Sequence, residues 1–306
     1  MTQLRPCYRP AAKATQGVRA QNRPVSVEHY ENFPVASVLC PPRYRAAVVA
    51  IYHFARTADD IADEGAASTA SRQQDLQAFR ADLLRLYGDG PAVSARWPQV
   101  FGPLRSAQQR HQLPAEPLLA LLDAFMQDTG NPVYANREAL LRYCALSANP
   151  VGRLLLHLNG VADDTALRQS DAICSALQLI NFWQDLSVDL PRERHYVPDS
   201  DLAAGGLSRQ SWQAGADSPQ HRAVVASLCA WARTMMWSGA PLVERLPGRA
   251  GWELRLVVLG GLRVLEKIEA MNHTTLRQRP RLRWHDLPVL LWRACTLPRR
   301  LKALPA

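Results

Sequence analysis

Apolar residues recur along most of the chain at intervals of three and four, the period of helices packed on one side. The spacing predicts helices over residues 43–64, 72–87, 118–127, 136–158, 165–189, 252–271 and 287–301. Gly65 directly follows the first of these and is a natural left-handed stop. Ser218-Pro219 reads as an N-cap followed by a first-turn proline, opening a helix to about residue 245. Segments 136–158 and 165–189 are long and largely apolar, so they form the expected central pair. Residues 201–217, rich in Gly, Ala and Ser, read as a loop. Alternating β-branched runs between turn dipeptides are almost absent. The expected fold class is all-α, one domain of helices around a central core or cavity.

Composition narrows this picture. At 306 residues, with 47% apolar and 21% charged, the chain can bury a sizeable core, and wholesale disorder is excluded. No stretch approaches the roughly 18 uncharged apolar residues of a membrane span. The first 25 residues lack the apolar run of a secretory signal. The six cysteines stand at 7, 40, 144, 174, 229 and 295, never closer than thirty positions. That spacing argues against a zinc knuckle or a disulfide framework and suits a reducing cytoplasm.

The net charge of +9 is uneven: residues 1–25 carry +5 and residues 277–306 carry +7, leaving −3 between them. A uniformly basic nucleic-acid binder would not look like this, and the basic residues lack interleaved stacking aromatics. Either the ends are solvated or they touch anionic lipid or nucleic acid by screened electrostatics. The expected organisation is a disordered basic extension over 1–25, a catalytic body over 26–275 and a basic segment over 276–306. Leu, Val and Trp mixed with Arg and Lys over 287–302 suit peripheral contact with the inner membrane.

Two acidic clusters change the picture most. They are DDIADE at 59–64 and DLSVD at 185–189. Asp59/Asp63 and Asp185/Asp189 are each four apart, so on a helix each pair shares one face. Like charges at that spacing repel, and a helix tolerates them best around a cation. Hard carboxylate oxygens suit Mg²⁺, which shares its shell with phosphate and water. An EF-hand loop is a poor match, because its required sixth-position glycine is Glu64 here, counting from Asp59. Tyr52, Arg56, Asp59 and Asp63 form one polar stripe, and Gln178, Asn181, Asp185 and Asp189 form another. Each runs through an otherwise apolar helix, where burying polar groups is costly unless they are bonded or bind metal. Two such faces opposed would hold a diphosphate through Mg²⁺.

These stretches resemble the squalene/phytoene synthase family. ARTADDIADE (55–64) and ALQLINFWQDLSVDLPRERHYVP (176–198) are similar to its two aspartate-rich motifs. HYENFP (29–34) resembles its entry motif, and YCALSANPVGRLLL (143–156) its Tyr-Cys…Val-Gly helix. The resemblance spans about residues 26–275 and implies the isoprenoid synthase helical bundle with a deep central pocket. Together with LGGLRVLEKIE (259–269), the motifs look most like the branch that forms hydroxysqualene from presqualene diphosphate in hopanoid biosynthesis. Gln184 stands where chain-joining relatives usually carry Arg, and Gly260-Gly261 where they often carry Tyr. Both differences favour that branch.

The resemblance implies a division of labour. Asp59, Asp63, Asn181, Asp185 and Asp189 would hold Mg²⁺, with the four aspartates central to catalysis. His29, Tyr52, Arg56, Gln178, Gln184, Arg194 and Tyr196 would contact the diphosphate. Tyr143, with Phe33, Phe54, Phe182 and Trp183, would wall the carbocation by cation–π contact, about 0.5–2 kcal/mol each. Asn149 and Ser147, interrupting an apolar helix before Pro150, would hold the capturing water. No GxGxxG follows a strand, so a nicotinamide cofactor is not implied. The partners expected are an isoprenoid diphosphate and neighbouring squalene-pathway enzymes. Two alternatives stay open: a head-to-head prenyl transferase making presqualene diphosphate, squalene or phytoene, and a non-catalytic assembly factor of the same fold. The retained aspartates weigh against the second.

Overall fold

A computed structural model of the chain describes residues 39–88, 94–214 and 217–302. Within these the chain is helical, with a single isolated bridge between Val133 and His195. The basic extension over 1–25, His29 and Phe33 lie outside the described residues.

Helix α1 (Pro42–Asp63) starts on proline, whose missing N–H costs nothing in a first turn. Glu64 leaves it in extended backbone and Gly65 follows at φ 82°, the expected stop. Its buried row is Ala47, Ala50, Ile51, Phe54, Ala58 and Ala62. The small residues admit α2 (Thr69–Tyr87), α3 (Pro98–His111) and α4 (Glu116–Asp128), which pack around it. Phe79 lies with ring centroids 5.1 Å from Phe54 and 4.8 Å from Phe101. Burying each phenyl ring contributes about 1.5–3 kcal/mol. The expected carbocation wall therefore loses Phe54, which is a core residue with no solvent exposure.

The expected helix 136–158 is two helices, α5 (Arg137–Ser147) and α6 (Asn149–Leu158), joined at Ala148 with φ −119° and ψ −47°. Pro150 forces the break: it has no N–H to continue the ladder, and its ring clashes with the preceding turn. The next helix, α7 (Asp164–Gln184), is capped by Asp163, whose side chain accepts from the Ala166 N–H. It stops at Asp185, and the short α8 (Leu186–Asp189) follows. A Cβ on Gly152 would lie 2.4 Å from Ser170 Oγ and 2.5 Å from Cys174 Sγ, so this glycine lets α6 close onto α7.

The expected loop at 201–217 instead holds α9 (Asp199–Ala204) and α10 (Arg209–Gln213), with Ser208 and Ser211 forming a capping box. Helices this short carry no readable period. Helix α11 (Pro219–Gly239) is capped by Ser218 as expected and passes into a 3-10 turn over Ala240–Glu244. Helices α12 (Gly248–Ala270) and α13 (Leu287–Lys302) complete the chain. Helix α7 packs on α11, α6 and α12, and α13 packs on α12. A Cβ on Gly261 would meet Met236, Leu177 and Ile180, so this glycine serves helix packing.

The buried side chains form two clusters. One gathers α1 to α4 with Leu154 and Leu158 of α6. The other is built on α7, α11 and α12 and includes Trp183, Leu228 and Leu265. The two acidic motifs belong to different clusters, and α4, α5 and α6 join them. The five cysteines among the described residues are all free thiols.

Candidate active site

A cavity of about 270 Å³ opens between the two clusters. Its walls include Asp59 and Asp63 of α1, Phe125 and Asp128 of α4, and Tyr143 and Ser147 of α5. Opposite stand Gln178, Asn181 and Phe182 of α7, then Asp189, Arg194, His195 and Tyr196. The two acidic faces therefore share one hollow. The turn after α8 closes it: Leu190–Arg192 forms a 3-10 turn and Glu193 takes the left-handed φ of 58°. The chain doubles back, and the Arg194 N–H donates to the Asp189 carbonyl at 3.1 Å. The Arg194 guanidinium then pairs with Asp63 across the cavity and lies 3.8 Å from Asp189. One cation ties the opposed faces together.

The carboxylates are held under strain of charge. Burial, together with repulsion from Asp63, pushes Asp59 up to about 6. Burial and the charge of Asp185 push Asp189 up to about 7. Asp128, which sequence reasoning missed, is raised to about 7 by burial, against a hydrogen bond of 2.9 Å donated by the Tyr143 hydroxyl. Asp63 and Asp59 add to that rise. Carboxylates disfavoured by burial and by one another gain most from a cation.

The second motif does not repeat the first. Asp185 does not line the cavity. Arg279 grips it through both oxygens, Nε at 2.5 Å and Nη2 at 2.8 Å, with each side chain only 13% exposed. Gln184 is fully buried, and its amide donates to the Pro280 carbonyl at 2.6 Å. The expected diphosphate contact at Gln184 is thus corrected: the helix ends there, and the side chain turns into the 277–283 segment. Asn149 is also corrected as a water holder at the cavity, because it is buried and its Oδ1 accepts from Ser175 at 2.9 Å. Ser147 does face the cavity, its hydroxyl buried and without a hydrogen-bond partner. Tyr52 stacks edge-on against His53 and is not part of the cavity wall. Arg56 is also outside the wall and pairs with Asp59, Asp60 and Glu64 at 2.9, 2.7 and 2.9 Å.

The aromatic wall differs in membership from the expected one. Trp183 is fully buried in the core. Tyr196 instead stacks on Phe182, centroids 3.7 Å apart and planes 8° apart, with Tyr143 6.2 Å from Tyr196. Tyr134 backs this group, its ring 5.6 Å from Tyr143. Burial pushes the Tyr143 and Tyr196 hydroxyls far above their usual range, so these rings stay neutral. Asp128 and the turn at Asn131 were invisible as a site because a lone aspartate ending an apolar helix has no patterned partner.

Among the described residues no three acidic, histidine or cysteine side chains form a ready-made metal cluster. The donors lining the cavity nonetheless fit a hard dication: four carboxylates and the Asn181 amide, all oxygen, with room for water.

The chain matches the squalene/phytoene synthase family over residues 27–286, and it belongs to that family. It is 35% identical to a hydroxysqualene synthase of Sinorhizobium fredii, over 85% of this chain and 86% of that one. It is 32% identical to a phytoene synthase of Thermus thermophilus, over 87% of this chain and 88% of that one. The crystal structure of a squalene synthase from Alicyclobacillus acidocaldarius superposes with a TM-score of 0.71 at 34% identity, covering 80% of this chain and 90% of that chain. The fold is the isoprenoid synthase bundle, and members of this family are isoprenoid-diphosphate enzymes that typically use a divalent metal. Among the described residues no helix is long and apolar enough to cross a membrane.

Proposed function

We propose that the protein is a hydroxysqualene synthase, which ionises presqualene diphosphate and lets water capture the cation. The observation that carries this reading is the pairing of Asp63 with Arg194, next to Asp189, over a cavity walled by Phe182, Tyr143 and Tyr196. Anion-holding and cation-tolerating groups meet in one hollow, as the departure of diphosphate from a hydrocarbon requires. Similarity to the Sinorhizobium fredii enzyme supports the choice of reaction.

Asp59, Asp63, Asn181 and Asp189 would hold Mg²⁺, with Asp128 beside them, and Asp185 would join once Arg279 yields it. Bound there, the ion supplies Lewis-acid stabilisation of the departing phosphate oxygens. Arg194 offers donors to the same oxygens, and a diphosphate would compete with Asp63 for its guanidinium. The stacked Phe182 and Tyr196 rings present an electron-rich face that cannot add to the cation. Of the two residues expected to hold the capturing water, Ser147, with an unpartnered hydroxyl at the cavity, would keep that role. The cavity lies just below the 300–1,000 Å³ of ordinary ligand pockets, sized for the charged end of the substrate. The lipophilic substrate also places the enzyme at a membrane surface, beside the enzymes that make presqualene diphosphate and consume hydroxysqualene.

The test is incubation of purified protein with presqualene diphosphate and Mg²⁺, without nicotinamide, followed by mass spectrometry of the lipids. Hydroxysqualene is expected, and farnesyl diphosphate alone should give no product. Product from farnesyl diphosphate would replace this reading with a head-to-head prenyl transferase.

A further inference from the structure

Helix α13 is apolar on both sides. Its inner face, Leu290, Ala294 and Leu297, is buried, and the helix packs on α12. Its outer face carries Leu287, Leu291 and Trp292, which are 51%, 45% and 62% exposed. Trp284, in the 3-10 turn Trp284–Asp286 before it, is 85% exposed. A helix packed on one side ordinarily turns polar residues outward. Elsewhere among the described residues the large exposed apolar side chains are singles, as at Leu84 and Val188, or the one pair Val151 and Leu155 on α6, at 37% and 41%. A contiguous run of two tryptophans and two leucines marks an interaction surface.

The exposed charges flanking this run are basic. Arg281 and Arg283 are exposed at one end and Arg299 at the other. The single acid of residues 277–306 is Asp286, and it is buried at 1% exposure. There it pairs inward with Arg263 at 2.9 Å and Lys267 at 2.8 Å. The neighbouring carboxylate Glu266 of α12 is likewise taken up by Arg263 and Arg293, so the exposed charge offered outward beside the apolar side chains is basic.

We propose that the outer face of α13, with Trp284, docks on an anionic lipid bilayer. Tryptophan and arginine suit the two chemistries of that boundary, the ring at the headgroup level and the guanidinium on phosphate. A second copy of this chain fits worse, because a two-fold contact would set Arg281, Arg283 and Arg299 against one another, and the nearby acids Glu266 and Asp286 are already paired. The surface also lies close to the site along the chain. Arg279 holds Asp185, and the five residues from there to Trp284 span at most about 18 Å. The consequence, which rests on the proposed function, is that the hydrocarbon substrate reaches the cavity from the bilayer on which α13 lies.

Removing α13 would strip the core of Leu290, Ala294 and Leu297, so point substitutions on the outer face are the proper probe. The full chain is sedimented with vesicles of phosphatidylcholine, with and without phosphatidylglycerol. Binding to the anionic vesicles is expected, falling with added salt. It should be at least about tenfold weaker for the triple variant Trp284→Ser, Leu291→Ser, Trp292→Ser. Melting within a few degrees of wild type is expected for so exposed a face. Should the triple variant not fold, Trp292→Ser alone should still weaken binding, by about threefold. Equal sedimentation of wild type and variant overturns the proposal, as does a wild-type dimer that the substitutions dissociate. Turnover of presqualene diphosphate in detergent micelles should be the same for both proteins and should fall for the variant only with substrate in vesicles. No turnover by either protein in either medium would overturn the functional reading alone, and the sedimentation would still decide the docking.

Discussion

The two acidic motifs share a spacing and end in different states. On α1 the helix runs unbroken through Asp59 and Asp63, and both line the cavity. At the second motif the helix breaks at Asp185, and only Asp189 lines it. Asp185 is withdrawn by Arg279, from a segment almost a hundred residues downstream. Asp59 is neutralised locally and in the open, by Arg56 one turn earlier at 35% exposure, while Asp63 is met across the cavity by Arg194. Asp185 is neutralised from afar and nearly dry. Equal sequence spacing therefore fixes which residues can share a face, whereas tertiary contacts decide which of them stay available to a ligand.

The largest effect that would break this comparison is on turnover. Asp59→Asn and Asp189→Asn should each lower kcat about 10²–10³-fold, measured as diphosphate release, because each would remove a carboxylate that holds the dication against the leaving group. Both variants should fold, since each loses a carboxylate that burial and a neighbouring charge disfavour. Equal activity of Asp189→Asn and wild type would separate the second motif from the chemistry altogether. Next in size is stability. Arg279→Gln strands the Asp185 charge in a nearly dry place and should cost about 3 kcal/mol in chemical denaturation. Arg56→Gln removes a half-exposed partner and should cost under about 1 kcal/mol. A reversal of that order would mean that Arg279 holds Asp185 only loosely.

Much of this was readable from the chain, for physical reasons that also explain the misses. The α1 stripe was legible because a period of 3.6 maps sequence onto one face, and Gly65 marked its end. The bundle followed from periodicity and from the family motifs. Helix α3 was missed because Pro98, Gly102 and Pro103 read as breakers. Pro98 sits where no N–H is needed, and the buried row of Val100, Phe101, Leu104 and Ala107 outweighs the rest. Asp128 and Ser147 were missed or given second place because their importance is wholly tertiary. Gln184 was misplaced for the same reason as Asp185: a helix that stops at that point rotates its last side chains away from the extrapolated stripe.

The smallest expected effects come from pH, and they sharpen the contrast between the motifs. Asp189 is raised to about 7 in the folded protein, above the value near 3.9 of an unfolded aspartate. Folding thus favours its protonated form. The stability this confers is complete below about pH 4 and is lost as pH rises through about 7. Metal-free protein should therefore lose stability on going from pH 5 to 8, with Asp189 contributing on the order of 2 kcal/mol. Asp189→Asn should flatten that loss in melts recorded across the range. Asp59, raised only to about 6 and more exposed, should show a weaker effect on substitution, centred about one pH unit lower. Melts that steepen in Asp189→Asn would mean that Arg194, 3.8 Å away, holds this carboxylate ionised against the burial that favours its protonated form.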